Sequence, residues 1–190
     1  MAGEQIGSAL NGAIQYLSEH PAEARYTDSA ATAVLEDGLR VRVTGTSGES
    51  AFTDMPASVG GGGASPSPGW IFRAAQASCV ATLIAMRAAQ EGVKIKTLTV
   101  TVDSESDDRG ILGMDEAIPA GPLSARVRVA IAADGAGESS LRRLVEWAEQ
   151  HCPVTDAVRR AVPLRLEVEV LGGSAAASGG LPVGGDPVRR

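Results

Sequence analysis

The chain is predicted to be an α+β protein with a predominantly antiparallel sheet. Several short runs alternate apolar and polar residues with the period of a half-buried strand, as in Leu39-Arg40-Val41-Arg42-Val43 and in Lys94 to Val102. Other stretches repeat apolar residues at helical spacing, the longest being the Ala-rich run from about Gly69 to about Glu91. The resulting order is helix, strand meander, long helix, two strands, two helices, strand. Strands grouped in this way pair mostly as antiparallel neighbours.

The first element is a helix over Gln5 to Ser18, with Ile6, Leu10, Ile14 and Leu17 on one face and Pro21 beyond its end. Asp28 to Leu35 reads as a strand, and Asp37-Gly38 is a hairpin turn signal. In the next strand Leu39, Val41 and Val43 point inward, with Arg40 and Arg42 on the opposite face. A third short strand covers Ser50 to Thr53. Gly60 to Pro68 forms a flexible loop with stiff ends, and Pro68 suits the first turn of the long helix. Lys94 to Val102 and Leu123 to Ala132 are strands, joined by a polar connection over Asp103 to Pro122.

Ser139 or Ser140 is expected to cap a helix that carries Leu141, Leu144, Val145 and Ala148 on one face. Thr155 is expected to cap a short helix reaching about Ala161. Pro163 to Leu171 alternates, with Leu164, Leu166, Val168 and Val170 on one side, and is expected to be the final strand. The organisation is a helical extension over residues 1–25, one domain over 26–171 and a disordered Gly/Ala/Ser-rich tail over 172–190.

A chain of 190 residues is long enough for one well-buried domain. With 3% aromatics, the core must be built from Ala, Val, Leu and Ile. A net charge of -6 argues against nucleic acid or an anionic membrane surface as the main partner. No signal peptide is read at the N-terminus, and the apolar run Ile71 to Met86 is too short to span a bilayer. A cytoplasmic location is therefore expected, where thiols are kept reduced and a disulfide is more often transient than structural.

The chain has two cysteines. Cys79 lies within the long apolar helix, and Cys152 falls at a helix boundary in His151-Cys152-Pro153-Val154-Thr155. The residue before a proline is extended, which is expected to leave Cys152 accessible for exchange. Cys79 lies too far along its helix for the N-terminal dipole to act on it. Burial beside Phe72, Ala75, Leu83 and Met86 would raise its pKa. A reactive Cys79 therefore requires a nearby cation, for which Arg40 and Arg42 of the first hairpin are the candidates and Arg73 fits less well. The alternative is that Cys79 is a small core residue. His20 and His151 offer no zinc spacing with the two cysteines, so no metal or cofactor is expected. His151 reads as a solvated helix end and Asp103 to Asp108 as a solvated acidic loop. Gly60 to Gly63 lacks the Lys and Ser/Thr of a phosphate loop and reads as a flap over the Cys79 pocket or as a linker.

Gly62 to Cys79, with its Pro66-Ser67-Pro68 step before a helical Cys, resembles the OsmC/Ohr family of thiol-dependent hydroperoxide reductases. So does Ala148 to Val154, with a second Cys in a Cys-Pro-Val setting. The resemblance covers Ala31 to Leu171. It implies an intertwined homodimer with sheets wrapped around central cysteine-bearing helices. It also implies Cys79 as the thiol that attacks an organic hydroperoxide, Cys152 as the resolving thiol, and a dithiol or lipoylated protein as reductant. Arg40, reaching over from the partner subunit, would be the activating cation. The sequence departs from the family pattern at Gly69 and Trp70, where a Glu commonly follows the proline. In the hydroperoxide-resistance branch an Arg stands where Glu36 is here, and Arg40 looks like the arginine of the other branch. These departures keep open a second reading, a non-catalytic dimer that binds a small hydrophobic or thiol ligand.

Overall fold

The structure, a computed structural model, describes residues 2–171. The expected tail over 172–190 lies outside the described residues. The chain divides into two compact units, Met1–Arg160 and Ala161–Arg190.

The first unit opens with α1 (Ala2–Glu19). A three-stranded antiparallel meander follows, made of β1 (Ala31–Asp37), β2 (Arg40–Gly45) and β3 (Ser50–Thr53) in the order β1-β2-β3. The β1–β2 turn is where the Asp-Gly signal puts it, with Gly38 in the left-handed region at φ 54°. Val43 pairs with Ala33 on one side and Ala51 on the other.

The long helix α2 (Pro68–Gln90) begins as the sequence predicts. Ser67 caps it by accepting the Trp70 N–H on its hydroxyl at 3.2 Å, and Pro68 occupies the first turn, where its missing N–H costs nothing. At 23 residues, α2 extends beyond the apolar run Ile71 to Met86 at both ends, and by length and composition alone it is long and apolar enough to cross a membrane. It packs on α1 and on the elements that follow it.

β4 (Lys94–Glu105) and β5 (Ser124–Asp134) form a two-stranded antiparallel ribbon in which Val100 faces Val129 and Leu98 faces Ile131. β4 runs longer than the alternation suggests, with Asp103 paired to Arg126 and Arg128 on the way to Glu105, and β5 runs on to Asp134, opposite Lys94. Half of the acidic run is therefore strand. Of the rest, Asp108 opens a short helix, α3 (Asp108–Ile111), which the Asp107 carboxylate caps.

α4 (Glu138–His151) is capped at Gly137 with no side-chain hydrogen bond, and Ser139 and Ser140 lie inside the helix. α5 (Pro153–Arg159) is capped by Cys152, whereas the sequence reading assigned the cap to Thr155. The core of this unit joins Val80 and Ile84 of α2 to Ala148 of α4 and to Cys152, with Leu98, Val100, Val129 and Ile131 of the ribbon against it.

Residues 161–171 have no secondary structure, and Leu164, Leu166, Val168 and Val170 are exposed. The expected final strand is therefore not formed. Alternation gives a segment two faces, but a strand also needs a ladder partner, and the chain offers this segment none among the described residues.

Candidate functional site

The two cysteines come together where α2, the end of α4 and the start of α5 meet. Both are free, Cys79 packs against the core cluster that contains Cys152, and each thiol acts on the ionisation of the other. Their environments reverse the sequence expectation of which one is accessible. Cys152 is 0% exposed, although a pre-proline Cys at a helix boundary suggested an open thiol. The extended backbone before Pro153 turns its side chain inward, where it closes the core and serves as the cap of α5. Cys79, deep in the sequence of α2, is only partly buried.

Around Cys152 the donors converge. Its sulfur accepts the Thr155 N–H at 3.4 Å, and the Thr155 hydroxyl and the Val154 N–H also act on it. Burial works to raise this thiol, but the hydrogen bonds outweigh it, so Cys152 titrates below an ordinary cysteine. Cys79 is pushed up, first by burial and then by its Cys152 neighbour. The pair is therefore polarised, with negative charge favoured on Cys152 over Cys79.

Gln76 lies one turn before Cys79 and is also buried. Its Nε2 donates to Thr155 Oγ1 at 3.4 Å, while its Oε1 is buried without a partner among the described residues. The sequence reading passed over Gln76 and treated Thr155 as a cap. The available signal was a polar amide interrupting an apolar helix at helical spacing from a cysteine.

Arg40 does not join the cysteines within this chain. Its guanidinium pairs with Glu36 at 3.4 Å and lies 4.6 Å from the Phe52 ring centroid. Arg42 pairs with the same carboxylate at 2.8 Å. Arg73 donates to Ser104 Oγ at 3.3 Å. No cation is among the groups acting on Cys79. His151 is exposed, stacks on Trp147 and hydrogen-bonds through Nδ1 with the Trp147 carbonyl at 2.7 Å. No group of three His, Cys, Asp or Glu side chains able to hold a metal ion is found among the described residues.

The glycine run is a clamped loop, not a free flap. Asp54, at the end of β3, is nearly fully buried and accepts the N–H groups of Met55, Gly62 and Ala64 at 2.7, 3.3 and 3.1 Å. The Ala64 bond is the largest of the influences that hold its carboxyl below the usual range, with Arg40 adding a smaller attraction. Gly61 passes so close to the Met55 carbonyl that a Cβ would sit 1.9 Å from the oxygen, so only glycine fits. A cleft of about 390 Å³ opens beside the loop, lined by Met55, Pro68, Gly69, Phe72 and Arg73 together with residues of the α3 region.

Residues 60–167 match the model of the OsmC-like protein family. Solved structures with the same fold include an OsmC-like protein from Mycoplasma pneumoniae, at TM-score 0.61 and 13% identity, covering 72% of this chain and 91% of that one. An OsmC-like protein of unknown function from Vibrio cholerae aligns at TM-score 0.58 and 12% identity, covering 70% and 94%. An organic hydroperoxide resistance protein from Elizabethkingia anophelis aligns at TM-score 0.53 and 21% identity, covering 72% and 91%. No curated protein matches the chain.

Proposed function

This chain belongs to the OsmC-like protein family, and from that premise we propose that it is a cytoplasmic, homodimeric, thiol-dependent peroxidase acting on organic hydroperoxides. The observation that carries the proposal is the packing of Cys79 against the core cluster that holds Cys152, these being the only two thiols of the chain. A binding pocket has no need of a second sulfur in contact with the first.

Cys79 is the partly exposed member and meets the substrate. Its sulfur attacks the distal peroxide oxygen, the O–O bond breaks, and the alcohol leaves, giving Cys79 sulfenic acid. In this reading the Cys152 sulfur accepts the proton that Cys79 sheds as it attacks. Cys152 then displaces hydroxide from the sulfenic acid, forming a Cys79–Cys152 disulfide and water. A dithiol, free or carried as lipoyl on a protein, restores both thiols. The apolar flank of Cys79, with Phe72, Leu83 and Met86 on its helix face, suits an organic hydroperoxide better than hydrogen peroxide.

The pair by itself does not favour the Cys79 thiolate, so a cation is needed. Arg40 of a second copy fills that role in this proposal. It is partly buried on a hairpin whose first strand, β1, is exposed along its whole length and free to pack against another chain.

A second reading keeps the dimer as a binder of a small hydrophobic or thiol ligand. Gly69 favours it, standing at the start of α2 where the family commonly has a carboxylate. Free-thiol titration and intact mass, before and after one equivalent of cumene hydroperoxide, separate the two. The peroxidase loses two thiols and the mass of about two hydrogens, and Cys79→Ser abolishes both changes. Thiols that stay reduced over minutes leave the binding reading standing.

A further inference from the structure

Gln76 and Thr155 form a directed chain of hydrogen bonds that ends on one sulfur. Gln76 is 4% exposed and Thr155 3% exposed, so neither has solvent to fall back on. Buried amide oxygens are seldom left without a donor, yet Gln76 Oε1 has none. The neighbouring bonds account for this. Thr155 has a single hydroxyl proton, and it acts on Cys152 Sγ, as does the Thr155 N–H. Its oxygen therefore has only lone pairs to offer Gln76, which presents its NH₂ at 3.4 Å and leaves its carbonyl idle. The opposite amide orientation would draw the hydroxyl proton off the sulfur. The sulfur so served is the enclosed one, while its partner Cys79 is partly open.

The geometry points to Gln76 and Thr155 as positioning residues for the reductive half of a thiol cycle, holding Cys152 as the leaving thiolate so that an incoming dithiol attacks Cys79 Sγ. The inference rests on the two-cysteine reading for how the Cys79–Cys152 disulfide arises. In the first step a thiolate of the dithiol bonds to Cys79 Sγ and the S–S pair of electrons departs with Cys152 Sγ, where the Thr155 N–H and hydroxyl receive the charge. In the second, the other thiolate of the dithiol attacks the mixed disulfide, releasing Cys79 as thiolate and the reductant as its own disulfide. Access and leaving-group acidity favour the same sulfur, because exchange is faster when the departing thiol is the more acidic one.

The test forms the disulfide with diamide, which needs no peroxide, so a failed peroxide reaction and a failed exchange mechanism are seen separately. The full-length protein is then reduced with dithiothreitol, and the rate is followed against pH. Thr155→Val, which keeps the shape but loses the hydroxyl, is expected to slow reduction about tenfold, as is Gln76→Glu, which turns the Thr155 proton toward its carboxylate. Thr155→Ser restores the hydroxyl and the rate. With glutathione in place of the dithiol, peptide mapping is expected to find the adduct on Cys79. An adduct on Cys152 overturns the inference, and so does a disulfide that diamide never forms. Equal rates in all variants, or a Thr155→Ser protein as slow as Thr155→Val, do the same, the latter by reducing the role of Thr155 to packing.

Discussion

Asp54 shows how one side chain sets up a site it does not touch. Its carboxylate gathers three backbone N–H groups, and through Gly62 and Ala64 it fixes the loop that leads into Ser67 and Pro68 and so into α2. Hydrogen bonds to a charged acceptor are stronger than those to a neutral one. Asp54→Asn is expected to lower Tm by roughly 5 °C at neutral pH. The folded-state pKa lies below the ordinary 3.8, so the stabilising effect is complete above that value and lost as pH falls through the lower, native one. The gap in Tm between wild type and Asp54→Asn should therefore stay constant above about pH 4 and close below it. A gap that persists unchanged in acid would assign the effect to shape instead of charge. Asp54 is also the clearest case of what the sequence concealed. An acid ending a strand reads as a solvated group, because nothing in its neighbours announces that three N–H groups will converge on it.

The helices and hairpins were largely legible because their signals are local. The Ser-Pro start of α2, the Asp-Gly turn and the alternation of β2, β4 and β5 each state their element within a few residues. The errors came where the deciding partner is distant. β4 extends past its alternating stretch where Asp103 meets Arg126 and Arg128 across the ladder. Cys152 displaced Thr155 as the cap of α5 because the helix starts at Pro153, where the Cys152 sulfur accepts the Thr155 N–H. The pairing of Cys79 with Cys152 was legible only through the family resemblance, since no local pattern joins α2 to the end of α4. The packing of α1 on α2 was equally hidden. It turns on Gly7, which is buried and whose added Cβ would lie 2.8 Å from the Ala89 carbonyl oxygen. A backbone atom cannot swing aside, so Gly7→Val should cost about 1–3 kcal/mol. Hydrogen exchange should then show α1 opening ahead of α2; equal protection in variant and wild type would mean that α1 slides along α2 without loss.

At the scale of the whole molecule, the described residues show a protein whose apolar surface is only partly used. Leu164, Leu166, Val168 and Val170 are at least 74% exposed, while Val34 and Leu35 of β1 are also open to solvent. Long, unpaired, apolar strand-like segments invite association with another chain, and a second copy is the partner that the homodimer proposal supplies. Light scattering is then expected to give twice the 19.4 kDa of one chain. The stronger test asks whether the copies share a site. Arg40→Gln should lower peroxide turnover about a hundredfold by removing the charge that favours the Cys79 thiolate. Its effect on stability should be slight, because the Arg40–Glu36 pair is about a third exposed on each side. Cys79→Ser should be inactive outright. If Arg40 serves the cysteine of the other copy, unfolding and refolding the two variants together yields mixed dimers in which an intact Arg40 faces an intact Cys79. Part of the activity then returns. If Arg40 serves its own chain, each mixed dimer holds only broken sites, and the mixture stays as slow as its components.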